Sequence, residues 1–518
     1  LNFAQDLSRL CEERGWRDRP ACLEGDAVRT HGDVHATAAR CAAALAGRGV
    51  GPGDRVLLAL PDGAAWVVSF LACSRIGAVA VTVNPDLSGH EHRYMASDCA
   101  PVLVLAEEHL HERFPDVPAL TGAALLAEGA TRAPAPPVPT DPDAPLYVQY
   151  TSGTTGRPKG VVHRCANPAL YLELVGRPVV DVRPTDVTLS VSKMFFAYGF
   201  GNAFVFPLLS GSAAVYTAGR PGAAEVAELV SRHGVTLLYG VPSFHANLVR
   251  EASPADLGSL RLAVSAGERL APGLGDRARG LLGVPLLEQL GSTEAGHGFC
   301  SNTVARDVPG TVGRVLPGFR VRVLDRDGAP VGPGGTGELH VRGPTLMKGY
   351  LNLPEETRRT LPEDGWLRTG DLVTACPSGD LVHQGRTDDL EMVGGITVSP
   401  VEVEDLLRAD PRVREAAVTS LPDERGATRL HAFVVPASPV DSAETLESEL
   451  ISGLRGRVAP YKVPRSVRLV PDLPRTPTGK LRRFQLRASL GDAPRQDHRT
   501  APPRSAPGPP PAGPSPLP

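Results

Sequence analysis

Between residues 55 and 83 an apolar strand, a helix and a second apolar strand follow one another with almost no chain between them. Arg55-Val56-Leu57-Leu58-Ala59-Leu60 is a near-continuous apolar run. A helical segment continues through Ile76, and another strand takes up residues 78–83. Strands joined this way lie parallel in one sheet with helices packed on its faces, so the fold class is α/β. An Ala-rich helix over residues 31–48 precedes this unit, and similar units recur at 225–239 and 260–265. No internal repeat accompanies them.

The texture changes along the chain. Residues 131–145, rich in Pro and Ala, lead as a surface connection into the strand Tyr147-Val148-Gln149-Tyr150. From about 310 to 343 short alternating strands such as Arg320-Val321-Arg322-Val323-Leu324 and Gly337-Glu338-Leu339-His340-Val341 indicate a small antiparallel, barrel-like subdomain. The pattern resets with charges and glycines near 386–400, and a compact unit follows to about 490. The division is therefore a large domain over 1–387, a small mobile α+β domain over 388–490, and a Pro-rich tail over 491–518 expected to be disordered. A length of 518 residues with 42% apolar and 21% charged residues supports a sizeable buried interior.

Several function classes are disfavoured at this level. A net charge of −3 offers no basic surface for nucleic acid or anionic lipid. The longest apolar stretch, residues 64–83, is broken by Ser74-Arg75 and Gly77 and reads as a buried helix and strand instead of a membrane span. Residues 1–14 carry a helical stripe (Phe3, Leu7, Leu10) without the features of a signal peptide. Eight scattered cysteines without a C-x-x-C pair argue against zinc and fit a cytoplasmic location. Of 54 Lys plus Arg only five are lysines, at 159, 193, 348, 462 and 480. Each therefore raises the question of why Arg did not serve.

The segment Tyr150-Thr151-Ser152-Gly153-Thr154-Thr155-Gly156-Arg157-Pro158-Lys159-Gly160 follows a strand and concentrates four hydroxyls, three glycines and a terminal ammonium. Glycines let backbone N–H groups approach an anion closely, hydroxyls add donors, and Lys159 adds a full charge, which together suit a polyphosphate. The Walker pattern is absent, because Lys159 stands between Pro158 and Gly160. An ordinary polar turn needs no such concentration.

This loop resembles the signature phosphate loop of the acyl-adenylate-forming enzymes, which comprise acyl- and aryl-CoA ligases, peptide-synthetase adenylation domains and luciferases. Further segments match that family in order, up to about residue 490. The resemblance implies that ATP is held by Thr151, Ser152, Gly153, Thr154, Thr155, Gly156 and Lys159, with Gly291 and Ser292. In Leu290-Gly291-Ser292-Thr293-Glu294 it makes Thr293 an α-phosphate contact and Glu294 the Mg2+ ligand. A carboxylate there suits a hard dication bridging phosphate oxygens. Asp371 in Thr369-Gly370-Asp371 takes the ribose hydroxyls, and Arg386 touches the nucleotide. Asp388 is the hinge of the small domain, and Gly394-Gly395 line the tunnel for a pantetheine arm. Relatives of the aryl type often carry Lys two residues before Gly394, where this chain has Met392. Lys480, in Pro474-Arg475-Thr476-Pro477-Thr478-Gly479-Lys480, is the catalytic ammonium that domain closure brings to the phosphate loop. Carboxylate approaching phosphate at ~4 Å is opposed by about 4 kcal/mol at an effective dielectric near 20, and a cation between them offsets this.

The resemblance is closest to the benzoate-CoA ligase branch, through Lys193-Met194-Phe195-Phe196-Ala197-Tyr198-Gly199, Gly201-Asn202 and Gly291-Ser292-Thr293-Glu294-Ala295-Gly296-His297. It implies an aryl slot lined by Ala197, Tyr198, Gly291 and His297. Benzoate enzymes tend to have a branched aliphatic residue after this His, so Gly298 leads us to expect a roomier slot that tolerates ring substituents. The implied reaction is activation of a small aromatic carboxylic acid by ATP, then thioester formation with coenzyme A or the phosphopantetheine of an acyl carrier protein. The alternatives are an amino-acid adenylating enzyme and a non-catalytic nucleotide-binding protein. The first needs an acidic partner for the substrate ammonium, and residues 193–202 contain none. The second predicts decay of catalytic positions, yet Glu294, Asp371, Arg386 and Lys480 are all present. A luciferase-like oxygenase shares the adenylation half, and the aryl-pocket resemblance is the one sequence feature that separates it.

Overall fold

A computed structural model describes residues 2–152, 157–387, 391–393, 396–422, 428–455, 457–475 and 481–491. The opening strand–helix–strand unit is present as Arg55–Ala59, Ala64–Arg75 and Val79–Thr82. Its two strands pair in parallel, and the helix between them is buried almost all round. They belong to a seven-stranded sheet in the order Gly349–Tyr350, Pro158–Arg164, Pro145–Ser152, Val79–Thr82, Arg55–Ala59, Leu103–Ala106 and Ala119–Leu120. The strands before and after the phosphate loop, Pro145–Ser152 and Pro158–Arg164, form an antiparallel pair in which Thr151 lies opposite Lys159.

A second, nine-stranded sheet contains the parallel run Leu286–Gly291, Leu262–Ser265, Leu237–Gly240, Val187–Ser190, Ala213–Tyr216 and Pro20–Glu24. The Ala-rich helix His31–Gly47 begins at Thr30, whose hydroxyl accepts from Asp33 N while the Asp33 carboxylate accepts from Thr30 N. Between the sheets, Trp66 and Phe70 from the buried helix interlock with Phe200 and Phe204, with ring centroids 4.9–6.3 Å apart. These aromatic pairs couple the two sheets.

The alternating segment after residue 310 forms a four-stranded antiparallel sheet ordered Arg320–Leu324, Thr336–Arg342, Leu367–Ala375 and Leu381–Arg386. Its order is linear, and among the described residues no pairing closes it as a barrel requires, so this unit is an open sheet. It is tied to the nine-stranded sheet's edge by Val312 N donating to Leu381 O at 2.8 Å and Leu381 N to Gly313 O at 2.9 Å. The C-terminal unit sets the strands Val413–Pro422, Thr428–Pro436 and Ser466–Leu469 against the helices Pro400–Arg408, Ala443–Leu454 and Arg483–Gly491. Its apolar residues form clusters separate from those of the large sheets. Among the described residues no helix is long and apolar enough to cross a membrane.

Candidate functional site

Parallel strands direct the loops that follow them to one edge of a sheet, where open α/β folds bind ligands. Here Leu237–Gly240, Leu262–Ser265 and Leu286–Gly291 end side by side, so Ala266-Gly267-Glu268 and Ser292-Thr293-Glu294 emerge together. Ser292 Oγ accepts from Ala295 N at 3.1 Å and closes the second loop into a turn.

Both candidate ATP residues in that turn are held by the strand pair next to the phosphate loop. The Thr293 carbonyl accepts from His163 Nε2 at 2.8 Å, and His163 Nδ1 in turn accepts from Asn167 Nδ2 at 3.0 Å. Burial holds the His163 pKa down to about 4, so the ring stays neutral, with its proton on Nε2. Glu294 Oε1 accepts from Tyr350 OH at 2.8 Å, and its backbone carbonyl accepts from Met347 N at 2.8 Å. Burial, reinforced by the Glu294 charge, raises the Tyr350 phenol, which therefore remains a donor. His163 lies on Pro158–Arg164, and Gly349–Tyr350 pairs with that strand. The phosphate-loop region and the Thr293-Glu294 turn, about 140 residues apart, therefore meet across the two sheets.

Thr151 is half-buried at the end of its strand, and Ser152 is the last strand residue, opposite Pro158. Gly153, Thr154, Thr155 and Gly156 lie outside the described residues, as do Asp388, Gly394, Gly395 and Lys480. Lys159 stands near the start of the returning strand. Its Nζ bonds Glu356 Oε2 at 2.9 Å and lies 5.1 Å from the Tyr350 ring centroid. The ammonium thus braces the returning strand against the 350–356 segment. Asp371 and Arg386 are register partners, with Arg386 Nη1 3.5 Å from Asp371 Oδ1 and His383 Nε2 3.2 Å from the same oxygen. Asp371 is buried, and its charge adds to the burial that raises the Cys300 thiol. Five residues before Lys480, Arg475 Nη1 lies 3.3 Å from Glu268 Oε1 while Nη2 bonds Glu415 Oε2 at 2.7 Å. Arg269 also pairs with Asp405. The C-terminal unit therefore reaches the same sheet edge.

The aryl-slot candidates converge around one histidine. His297 Nε2 lies 3.1 Å from Asn202 Oδ1, and its ring centroid is 6.0 Å from Tyr198 and 5.2 Å from Phe206. Burial takes its pKa down to about 4. The ring presses so closely on Gly201 that a methyl group there would stand 2.2 Å from Cδ2. Tyr198 OH donates to Val264 O at 3.1 Å, and Ala197 is buried at the start of the helical turn Ala197–Gly199. Gly291 ends its strand directly opposite Gly298. The roomier slot expected from Gly298 is corrected by the structure. A Cβ at 298 would meet Gln289 Cδ at 2.6 Å, so that side chain already occupies the space.

Asp62 and Lys193 form a buried pair beside the segment that leads to the aryl-slot candidates, and neither was assigned a role on sequence grounds. Asp62 Oδ1 accepts from Met194 N at 3.0 Å, and Gln149 Nε2 donates to Met194 O at 3.3 Å, so this peptide is held on both faces. Lys193 Nζ donates to Thr217 O at 2.6 Å and Oγ1 at 3.0 Å and lies 4.0 Å from Asp62 Oδ2. Desolvation raises the Asp62 pKa to about 6 against the opposing pull of Lys193. The scarcity of lysine had marked position 193. His163, Tyr350 and Gln289 carried no comparable signal.

The family model for AMP-binding enzymes matches residues 11–351, and that for the AMP-binding enzyme C-terminal domain matches residues 402–480. The chain is 41% identical over 487 residues to the p-hydroxybenzoic acid–AMP ligase FadD22 of Mycobacterium tuberculosis, covering 94% of this chain and 68% of that one. It is 38% identical over 508 residues to the benzoate–CoA ligase of Thauera aromatica, covering 94% and 96%. The crystal structure of a benzoate CoA ligase from Burkholderia xenovorans LB400 superposes with a TM-score of 0.87 at 35% identity, covering 94% of this chain and 100% of that one.

Proposed function

This chain belongs to the AMP-binding enzyme family, and from that premise we propose that it activates a benzoate or substituted benzoate with ATP and passes the acyl group to a pantetheine thiol. The thiol is that of coenzyme A or of an acyl carrier protein. Eight unpaired cysteines suit a reducing cytoplasm as the place of work. In the first half-reaction a bond forms between the acid's carboxylate oxygen and the α-phosphorus, and the bond to pyrophosphate breaks. In the second the thiol sulfur bonds the acyl carbon, the carbon–oxygen bond to AMP breaks, and the thiol proton leaves to solvent.

Glu294 suits a Mg2+ ligand. Tyr350 holds one of its oxygens, while the other makes no hydrogen bond to a described residue. Among the described residues no three metal-ligating side chains cluster, so a metal here would be shared with substrate phosphates, as Mg2+ commonly is. When bound, that ion neutralises charge on the phosphate oxygens. Thr293, fixed through His163, would orient the α-phosphate with Thr151, Ser152 and the glycine loop. Asp371 would accept from the ribose hydroxyls beside Arg386. Lys480 would set its ammonium between the incoming carboxylate and the phosphate. Rotation about Asp388 would then withdraw it and bring Gly394-Gly395 to the thiol arm.

The observation carrying this reading is the turn from Thr293 to His297. It links a tethered carboxylate to the aryl-slot histidine within five residues, so activation and ring recognition adjoin. Asp62 touches the slot segment but faces Lys193, and so offers no open partner to an amino-acid ammonium. The test is pyrophosphate release across benzoates, cinnamates, fatty acids and amino acids, with Lys480→Ala alongside. Benzoates are expected to be preferred, and the variant is expected to lose about 100- to 1,000-fold in adenylate formation. A preference for amino acids, or undiminished adenylate formation by Lys480→Ala, would refute the assignment.

A further inference from the structure

Asn167 is fully buried at the start of the short helix Asn167–Tyr171, which follows the strand Pro158–Arg164. Its Nδ2 donates to His163 Nδ1 at 3.0 Å and to Thr345 O at 2.9 Å, which uses both hydrogens of the amide. Its Oδ1, by contrast, is buried without a partner among the described residues. Turning the amide over would set that oxygen against the Thr345 carbonyl, acceptor against acceptor. The side chain thus keeps both hydrogens in place while leaving a buried oxygen unpaired, an unfavourable arrangement unless the two donations matter.

The hydrogen bond to Nδ1 decides where the imidazole carries its proton. His163 is fully buried, and burial takes its pKa down to about 4, so the ring holds a single proton. With Nδ1 accepting from Asn167, that proton sits on Nε2 and is donated to Thr293 O at 2.8 Å. The other tautomer would turn a lone pair of Nε2 toward the carbonyl and break the tie. Tyr171 OH also lies 3.4 Å from Nδ1, but a hydroxyl can donate or accept and so imposes no tautomer, whereas an amide N–H can only donate. Thr345 reaches the same turn, because its hydroxyl donates to Ala295 O at 2.8 Å. One buried amide therefore touches two of the groups that hold the carbonyls of residues 293–295.

Resting on the adenylation reading above, we propose that Asn167 is a positioning residue for adenylate formation. Its amide fixes the His163 tautomer that donates to Thr293 O, and so places the Thr293-Glu294 turn against the phosphates. Without that donor the imidazole takes either tautomer and the turn loses a hydrogen bond in a buried site, which corresponds to a loss of about 10- to 100-fold in the rate of adenylate formation.

The test follows enzyme-bound benzoyl-adenylate through the first turnover, at varied ATP and varied benzoate, in the parent, Asn167→Leu and Asn167→Ala. A first-order rate constant does not depend on how much of a preparation is folded, so partial misfolding of a variant cancels. Both variants are expected to lose about 10- to 100-fold in the maximal rate constant while half-saturation by benzoate stays within about threefold of the parent. The same substitutions are then made in a His163→Gln background. A glutamine amide can donate to the Thr293 carbonyl as Nε2 does but has no tautomer to set, so there the loss on adding Asn167→Leu is expected to be under about threefold. An unchanged rate constant in the Asn167 variants overturns this inference, as does an equal loss in the two backgrounds, which would mean that Asn167 does not act through His163. A His163→Gln enzyme that forms no adenylate also overturns it, because a donor at that place is then not what the turn requires. Each of these results leaves the proposed function standing, since the parent still forms benzoyl-adenylate. A parent that forms none overturns both.

Discussion

Replacing Lys193 by Met removes the cation from a buried pair and leaves Asp62 facing apolar surroundings. In the parent the two groups are 4.0 Å apart and both side chains are 4% exposed. At an effective dielectric near 20 their attraction is about 4 kcal/mol. The raised Asp62 pKa, about 6, shows that this attraction does not fully repay desolvation of the carboxylate. The variant also deprives the Thr217 carbonyl and hydroxyl of their donor. Together these changes place the loss at about 3–5 kcal/mol, the usual cost of breaking a buried pair from one side. The double variant Asp62→Asn/Lys193→Met keeps an acceptor for Met194 N and removes the stranded charge, so it should recover most of that loss. The pH dependence has a definite sign. A carboxyl whose folded pKa lies above its unfolded value contributes stability below the unfolded pKa and loses it as pH rises through the folded one. The deficit of Lys193→Met relative to the double variant should therefore be smaller at pH 5 than at pH 8. Urea midpoints at both pH values measure it. Because Met194 leads into Ala197 and Tyr198, the KM for the aryl acid should rise about tenfold or more while the KM for ATP stays constant. Equal stability of the single and double variants at pH 8, together with an unchanged acid KM, would refute this account of the pair.

Tyr350→Phe removes the hydrogen bond to Glu294 and should raise the Mg2+ concentration for half-maximal activity roughly tenfold, as expected for a lost bond to a charged group; an unchanged Mg2+ titration would contradict the tether. Gly296 has φ +81°, and a methyl group there would lie 2.1 Å from Tyr171 OH. Gly296→Ala should therefore cost about 3 kcal/mol or more and depress adenylate formation and the thermal midpoint together, whereas a variant with parental Tm and rate would show that the turn tolerates a side chain. Burial lowers His31, His35, His163, His245 and His297 each to about 4. Their contribution is complete above the unfolded pKa near 6.5 and is lost as pH falls toward 4, about 2 kcal/mol per ring at pH 5. The urea midpoint should fall steeply between pH 7 and 5, and a flat profile would mean that these rings are not held neutral.

Much of the architecture was legible before any coordinates. The unit spanning residues 55–83 announced a parallel sheet because strands buried on both faces must be apolar throughout. The segments around Arg320 and Gly337 announced antiparallel pairing by alternation, and their strands do pair that way. Whether that small sheet closed on itself was not legible, since closure depends on edge pairing between strands distant in sequence. In the site, Thr293 and Glu294 were legible as residue types in a motif. The groups that hold them, His163 and Tyr350, lie about 130 and 56 residues away and matter only through contact.

What the sequence determined by itself was chemistry that residue type alone can carry: a hydroxyl- and glycine-rich loop suited to phosphate, a metal-competent carboxylate, an aromatic segment suited to an aryl acid, and lysines kept in a chain that otherwise uses arginine. Tertiary structure alone decided how those groups are committed. It set Lys159 against Glu356, turned Lys193 inward to Asp62, and filled the gap at Gly298 with Gln289. The physical reason is that charge neutralisation and space filling are relations between side chains brought together by folding, and their sequence separations carry no periodicity from which to read them.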